Sequence, residues 1–244
     1  MGTLSQILLF AAVIPPAALL VYIYRQDKVE KEPPRLLLKL LLGGAVSVLP
    51  AAAWERLGSW LLALLPAAGP VRTAVYCFAV VALAEEGCKF LFLRRLSWQD
   101  AAFNYRFDGI VYAVFVSMGF AAVENLLYVA GDGTLRTAAL RAVTAIPGHA
   151  AFAVFMGFYY GCAKRYADAA ARCRDAALAE NCRRLHKKYQ AQALWLPVIL
   201  HGLYDFLLAA RLPWTGGIFG GFVLILLAGA VRQVRTAGRH DVPV

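Results

Sequence analysis

The fold of this chain is limited above all by a series of apolar runs, each about 18 residues or longer, which is enough for a helix to cross a bilayer. Hydrophobic residues make up 61% of the 244 residues and charged residues only 16%. A soluble domain carries about 25% charged residues. In lipid the backbone must satisfy its hydrogen bonds within the chain, as a helix does. We therefore predict an all-α, polytopic transmembrane helical bundle.

The apolar runs predict about seven membrane spans. In chain order these are Leu4–Tyr24, Leu36–Ala53, Thr73–Leu93, Asp108–Val129, Val143–Gly161, Ala193–Leu212 and Gly216–Val231. The first run has no basic segment before it and no small-residue cleavage pattern after it, so we expect a transmembrane helix rather than a signal peptide. Most of the 25 Lys and Arg residues lie after spans one, three, five and seven. The positive-inside rule then puts the N-terminus outside and the C-terminus in the cytoplasm.

The polar connectors between the spans indicate which binding partners and which redox compartment to expect for this chain. The net charge of +10 is spread over these connectors rather than gathered on a soluble domain, so we expect no nucleic-acid partner. The basic segment 162–192 is expected to be a cytoplasmic helix or helix pair, acting as a solvated linker or as a docking site. Three of the five cysteines fall there, without paired Cys-x-x-Cys spacing, which favours reduced thiols. The stretch Trp54–Arg72 is typical of a chain at the membrane interface.

The third predicted span carries three ionisable residues, Glu85, Glu86 and Lys89. A charged residue at the centre of a membrane helix costs about 2.5–3.5 kcal/mol on insertion scales, so such residues face a protein or water cavity. On a helix Lys89 lies three and four residues after the two glutamates, and both carboxylates can share its ammonium. One interpretation is an ion pair that locks two helices together. The other is a carboxylate pair for general acid–base chemistry.

Three further spans carry polar residues at a similar depth: Glu124 and Asn125 in the fourth, His149 in the fifth, and His201 and Asp205 in the sixth. The last two are four residues apart and share a helix face, which suits a metal site or an imidazole oriented by a carboxylate. Each of these residues alone has a structural explanation, such as a hydrogen bond between helices. Counted at about 1.5 Å per residue, all lie in the middle and outer half of the bilayer. Polar groups from four spans at one depth favour a shared aqueous site.

The residue types in this site favour hydrolysis by activated water. One Glu would be the general base and a second Glu the acid, while His and Asp would bind a metal or the oxyanion. No Ser or Cys has a recognisable base partner in the sequence, which argues against covalent acyl transfer.

Several motifs resemble those of the PrsW family of intramembrane proteases, over roughly residues 70–210. They are Glu85-Glu86-x-x-Lys89, Asp108-Gly109-Ile110-Val111-Tyr112, Phe120-x-x-x-Glu124-Asn125, Pro147-Gly148-His149 and His201-x-x-Tyr204-Asp205. The resemblance implies a clan shared with CAAX prenyl proteases and bacterial Abi-type membrane proteases. It implies that Glu85 and Glu86 are the catalytic pair, that His201 is the second essential group, and that His149 and Asp205 complete the polar site.

The resemblance also implies a substrate and a location. We expect one transmembrane protease domain over residues 1–244, with a catalytic core at about 70–212, in the cytoplasmic (inner) membrane of a bacterium. The substrate would be a single-span membrane protein similar to an anti-sigma factor, cut on its extracytoplasmic side as by a site-1 protease. The oligomeric state is left open.

The resemblance leaves the metal undecided. The clan is filed with metallopeptidases, yet related members are thought to act through glutamates without a metal. The sequence lacks His-Glu-x-x-His, the strong zinc signature. His149, His201 and a carboxylate such as Asp205 would supply the three ligands and open position of a catalytic zinc. Zinc and a metal-free mechanism are equally compatible with the sequence.

Two other kinds of protein remain as alternatives. Carboxylate and histidine chains in lipid also mark proton- or ion-coupled transporters, but such proteins are commonly built from internal repeats, and the sequence shows none. A non-catalytic scaffold would not need the paired glutamates and both histidines.

Overall fold

The computed structural model describes residues 3–66, 68–132, 134–210 and 212–244. Over these ranges the fold is a helical bundle without a β-strand, which confirms the all-α prediction. The helices are α1 (Thr3–Gln26), α2 (Pro34–Ala63), α3 (Gly69–Val75), α4 (Leu83–Ser97), α5 (Asp108–Asp132), α6 (Leu135–Val143), α7 (Ala145–Arg172), α8 (Ala176–Ala209) and α9 (Thr215–Arg239). A π-helical segment, Tyr76–Ala82, joins α3 to α4.

Five stretches in the described part of the chain are long and apolar enough to cross a membrane. They are Pro34–Ala63, Asp108–Gly131, Arg136–Arg172, Ala176–Ala209 and Thr215–Arg239. These correspond to the second, fourth, fifth, sixth and seventh predicted spans, and they support a multi-pass membrane protein. The first predicted span coincides with α1, and the third lies within the stretch from α3 to α4. The count of seven spans and the orientation of the termini stay predictions.

Helix α2 continues beyond Ala53, where the second span was predicted to end. It runs to Ala63, so Trp54 and Trp60 lie on the helix and not in a connector that follows it. Leucine and alanine, which are strong helix formers, dominate the sequence beyond Pro50 and carry the helix onward. The Trp54 indole N–H donates to the carbonyl oxygen of Ala79 at 3.3 Å and joins α2 to the π-helical segment.

The basic segment 162–192 is not a separate structural unit. Its first part continues α7 to Arg172 and its second part belongs to α8, which starts at Ala176. Only a short turn separates the two helices, and the Asp175 carboxylate caps α8 by accepting a hydrogen bond from the Leu178 N–H at 2.8 Å. Alanine, arginine and lysine are good helix formers, and therefore the two apolar helices extend through the basic sequence.

The core of the bundle lies where α5 packs against α7 and α2. At the α5–α7 crossing the two backbones approach closely at a pair of glycines. A Cβ atom on Gly157 would lie 2.3 Å from the Gly109 carbonyl oxygen, and one on Gly109 would lie 2.5 Å from the Gly157 carbonyl oxygen. Small residues permit such close contacts between membrane helices. This crossing holds α5 and α7, which carry three of the five motifs, at a fixed separation.

We expect Gly157→Ala to destabilise the protein by about 1–3 kcal/mol, because the added methyl group would force the two backbones apart. The measurement is thermal unfolding of the purified protein in detergent. Gly220→Ala on α9 is the matched control, since a Cβ atom there meets no atom within 4 Å. Equal melting temperatures for the two variants would contradict the expected overpacking.

Candidate active site

The predicted polar residues lie around one cavity of about 500 Å³. Helices α2, α5, α6, α7 and α8 contribute to its wall, together with the π-helical segment and the start of α4. Its ionisable lining residues are Glu55, Glu85, Glu124, Arg141, His149, His201 and Asp205, and its aromatic ones are Phe120, Phe152, Tyr76, Tyr128 and Tyr204. Three other predicted site residues, Glu86, Lys89 and Asn125, lie behind this wall, where all are at most 1% exposed.

The Lys89 ammonium is the centre of the buried part of the site. It donates to Glu85 Oε2 at 3.0 Å and to Glu86 Oε1 at 2.8 Å, as expected from their spacing on α4. It also contacts His149 Nδ1, from α7, at 3.1 Å, and it lies 4.1 Å from the centre of the Phe120 ring. The ammonium therefore holds α4, α5 and α7 together at one point.

The contacts of His149 determine which ring nitrogen carries its proton. Since Lys89 is a donor, Nδ1 must accept, and the hydrogen of the neutral ring is on Nε2. That nitrogen lies 2.9 Å from Glu124 Oε2 and donates to it. The Ser117 hydroxyl also donates to the carbonyl oxygen of His149 at 3.0 Å. His149 is thus a fixed bridge between the Lys89 ammonium and the Glu124 carboxylate.

His201 bridges the other side of the site. Its Nδ1 lies 3.0 Å from Glu86 Oε1, and because a carboxylate only accepts, Nδ1 carries a proton. Its Nε2 lies 3.4 Å from Asp205 Oδ2, and the ring stacks on Phe152 at a centroid distance of 4.9 Å. These contacts fix the ring orientation, with Nε2 on the side of Asp205, which also lines the cavity.

The next residue, Gly202, lets α8 approach the rest of the site closely. A Cβ atom at this position would lie 2.4 Å from the Phe78 ring of the π-helical segment. The close approach brings His201 within reach of Glu86 on α4, which directly follows that segment. Such π-helical turns are frequent at functional sites.

Sequence reasoning missed Arg141, which it treated only as a charge outside the membrane. The structure places it on α6, with Nη2 2.9 Å from Glu124 Oε2 and Nε donating to Asn125 Oδ1 at 2.9 Å. Its guanidinium also lies 3.9 Å from the centre of the Tyr128 ring. Asn125 therefore holds Arg141, which in turn neutralises Glu124. No spacing rule in the sequence identifies this residue, because α6 had no predicted counterpart.

Sequence reasoning also missed Glu55. It lines the cavity with Val48 and Ala52, and all three lie on α2, outside the predicted core at about 70–212. The error follows from ending the second span at Ala53. An acidic residue within an apolar helix that runs to Ala63 would have been recognised by its desolvation cost.

The donor atoms of the site have the chemistry of a metal centre, but their centre is already filled by a side chain. One ligand atom from each of Glu85, Glu86, His149 and His201 lies within 4.8 Å of the others. Glu86 Oε2 is buried and has no hydrogen-bond partner among the described residues. Carboxylate and imidazole ligands suit zinc. However, the Lys89 ammonium contacts three of these four residues. A metal does not fit among these donors while the ammonium stays there.

The predicted metal ligand Asp205 is not part of that group of four residues. Its carboxylate lies on the far side of the His201 ring, next to Nε2. A metal held by His149, His201 and Asp205 therefore stays a prediction, distinct from the donor group that the structure brings together.

Comparison with known proteins identifies relatives along most of the chain. Residues 32–231 match a family model described as "PrsW family intramembrane metalloprotease". A protein named "Protease PrsW" from Geobacillus kaustophilus is 36% identical over 237 residues, which is 97% of this chain and 94% of that protein. Proteins of the same name from Oceanobacillus iheyensis and Bacillus subtilis are both 33% identical, over 96% and 84% of this chain and 98% and 84% of their own length. No solved structure matches.

Proposed function

The chain belongs to the PrsW family of intramembrane metalloproteases, and from this premise we propose that it cuts its substrate in the cavity with Glu85 as the base that activates water. The observation that carries this proposal is the convergence of two glutamates and two histidines from α4, α7 and α8 around one buried ammonium. Membership of this protease family leaves the transporter and the scaffold without support.

The two glutamates have different surroundings, which supports different roles. Glu85 lines the cavity, where a water molecule can reach it. Glu86 is fully buried behind the wall, and its Oε1 accepts from both Lys89 and His201. We assign Glu85 as the general base and Glu86 as the residue that positions His201 and Lys89. A base must be within hydrogen-bond reach of the proton that it removes.

The proposed reaction is addition of water to a peptide carbonyl. Glu85 takes a proton from water while the water oxygen bonds to the carbonyl carbon, and the carbonyl oxygen becomes an oxyanion. His201 lies between the carboxylates of Glu86, at Nδ1, and Asp205, at Nε2. In this role it would be an imidazolium with a proton on each nitrogen, and its Nε2–H would donate to the oxyanion. Glu85 then returns the proton to the amide nitrogen as the carbon–nitrogen bond breaks, giving a carboxylic acid and an amine. Lys89 keeps its contact with Glu85 throughout and stabilises the ionised base.

The surroundings of the cavity support a membrane-anchored substrate. Leu127, Tyr128 and Leu208 line the cavity and are also exposed on the surface of the bundle, at 60%, 52% and 54%. These residues lie near the ends of α5 and α8, so the cavity opens beside an apolar surface. A single transmembrane helix could approach there from the lipid. We therefore retain a single-span protein similar to an anti-sigma factor as the substrate, and the bacterial cytoplasmic membrane as the location.

The metal dependence is tested by elemental analysis of purified wild-type protein that still cuts a reconstituted single-span substrate. We expect a zinc content far below about one atom per chain, because the Lys89 ammonium fills the centre of the donor group. His201→Ala should lose cleavage and leave the zinc content unchanged.

The opposite result has a clear meaning. A full zinc per chain in the wild type that is lost in His201→Ala would overturn the metal-free mechanism and make His201 a ligand. The metal-free mechanism would also be overturned if metal-free wild-type protein cut no single-span substrate and added zinc restored its activity.

A further inference from the structure

A second cluster of buried acidic residues lies away from the proposed catalytic cavity, and we infer that it binds one hard divalent cation, Mg²⁺ or Ca²⁺. The cluster consists of Asp27, Glu32 and Asp108, none of which lines the cavity. Asp27 directly follows α1, Glu32 lies just before α2, and Asp108 is the first residue of α5. The cation would therefore join three separate segments of the bundle.

The three carboxylates are close together and out of water. One oxygen from each lies within 4.8 Å of the others, and the three residues are only 2%, 2% and 1% exposed. None of the ion pairs between described residues involves any of the three. Buried carboxylates at such separations repel one another unless protons or a cation neutralise them.

The charge of Lys31 acts on Asp27, but no ion pair between described residues joins this lysine to a carboxylate of the cluster. The Lys31 ammonium donates to the backbone carbonyl oxygens of Tyr24 and Asp27 instead of to a carboxylate. The cluster therefore has a deficit of positive charge at its centre, in contrast to the catalytic site, where the Lys89 ammonium contacts both glutamates.

Unused oxygen atoms provide the second, independent indication of a ligand. Asp27 Oδ2 is buried and has no hydrogen-bond partner in the described part of the chain. The side-chain oxygen of Asn104, whose backbone N–H donates to Asp108, is also buried, and no described residue is its hydrogen-bond partner. Buried polar atoms nearly always have a partner, so an unpartnered oxygen on a member of the acidic cluster indicates a bound species.

Other hydrogen bonds orient the carboxylates. Tyr112 donates its hydroxyl hydrogen to Glu32 Oε2. Asp108 Oδ2 accepts from the backbone N–H groups of Asn104 and Tyr105, at 3.0 and 2.7 Å. Metal ligands in proteins are commonly oriented by outer hydrogen bonds of this kind. Glu32 and Asp108 are also in hydrogen-bond contact with each other, so a proton or a cation must lie between the two carboxyl groups.

The chemistry of the donors selects the cation. All of the candidate ligand atoms are oxygens, and no histidine or cysteine belongs to this group. Carboxylate and carbonyl oxygens suit Mg²⁺ and Ca²⁺, whereas imidazole and thiolate favour zinc and other transition metals. The cluster is thereby distinguished from the catalytic site, which contains two histidines.

Protons are the competing occupants, and they predict the pH dependence. Carboxylate ligands bind a metal in their deprotonated form, so protons compete with the cation for the same oxygens. A cation should therefore bind more tightly at high pH than at low pH. The other charged or titratable groups facing the cluster are Glu30, Lys31, Asp241 and Tyr112.

The test is thermal unfolding of the full-length protein in detergent, after chelation and with millimolar Mg²⁺ or Ca²⁺ restored. We expect restoration to raise the melting temperature by roughly 5 °C when the cation is far above its dissociation constant. The shift should be large at about pH 8 and small at about pH 5. Equilibrium dialysis with radioactive Ca²⁺ would measure the stoichiometry directly.

Variants separate binding from a purely structural role. Asp27→Asn should lose the cation response but melt no lower than the chelated wild type, because it removes one of three repelling charges. Glu32→Gln gives a second test of the same expectation. Glu180→Gln is the matched control, since it removes an exposed charge on α8 that pairs with Arg183 and not with a group facing the cluster. His201→Ala should keep the response, because its site is separate.

Two results would overturn the inference. One is a chelated wild type that binds no Ca²⁺ and shows no melting shift with either cation at either pH, which would mean that the cluster holds protons only. The other is an unchanged cation response in both Asp27→Asn and Glu32→Gln.

Discussion

Glu85→Gln should reduce the rate of substrate cleavage by about 10²–10⁴-fold, the usual contribution of a general base. The amide has nearly the shape of the carboxylate but cannot accept a proton from water. Lys89 keeps its contacts with Glu86 and His149 in this variant, so the fold should persist. The measurement is the single-turnover rate of cutting a reconstituted single-span substrate, together with the melting temperature.

Two other variants show whether Glu85 has the proposed role. Glu55→Gln is the matched control, because Glu55 lines the same cavity but makes no ion pair with Lys89, and it should change the rate far less. Glu86→Gln should lower both the rate and the stability, because Glu86 holds both Lys89 and His201. If Glu85→Gln kept the wild-type rate while Glu86→Gln lost it at full stability, the base would be Glu86.

Lys89→Met should destabilise the protein by about 3–5 kcal/mol, the cost of leaving buried charges without their partner. The substitution retains much of the volume and the contact with Phe120. It leaves Glu85 and Glu86, which are 4% and 0% exposed, facing each other without the ammonium. The measurement is thermal unfolding or denaturant titration in detergent, and we expect a low yield of folded protein.

The destabilisation should come from charge rather than from packing. Adding Glu85→Gln and Glu86→Gln to Lys89→Met should restore much of the lost stability, since neutral buried networks can replace ion pairs. Lys164→Met is the matched control: this lysine pairs with Asp168 at 2.8 Å in a more exposed position, and such pairs contribute up to about 1 kcal/mol. Equal melting temperatures for Lys89→Met and Lys164→Met would contradict the central role of the ammonium.

The sequence by itself determined the contacts that lie within one helix. Apolar runs of membrane length require helices, because the backbone has no other hydrogen-bond partners in lipid. On a helix, residues three and four positions apart are neighbours. Spacing alone therefore places Lys89 beside Glu85 and Glu86, and His201 beside Asp205. The same rule cannot relate residues on different helices.

Only the tertiary structure decided the contacts between helices. Lys89 and His149 are 60 residues apart, and Glu86 and His201 are 115 apart. Counting residues along each helix predicted that these side chains lie at a similar depth in the membrane. Depth alone does not determine which way each helix is rotated about its axis or which helices are its neighbours. These depend on side-chain packing, such as the close backbone contact at Gly109 and Gly157.

The same reason explains what the sequence missed. Arg141 reaches Glu124 only because α6 packs beside α5, and the ends of α2 and α7 lie beyond the apolar runs used to predict them. The acidic cluster joins Asp27 and Glu32, which looked like ordinary connector charges, to the distant Asp108, which the sequence placed only in a motif at the start of a span. Charged residues within predicted spans were recognised from the cost of removing them from water. Connector residues are buried only by packing in the folded protein, so their burial cannot be read from the sequence.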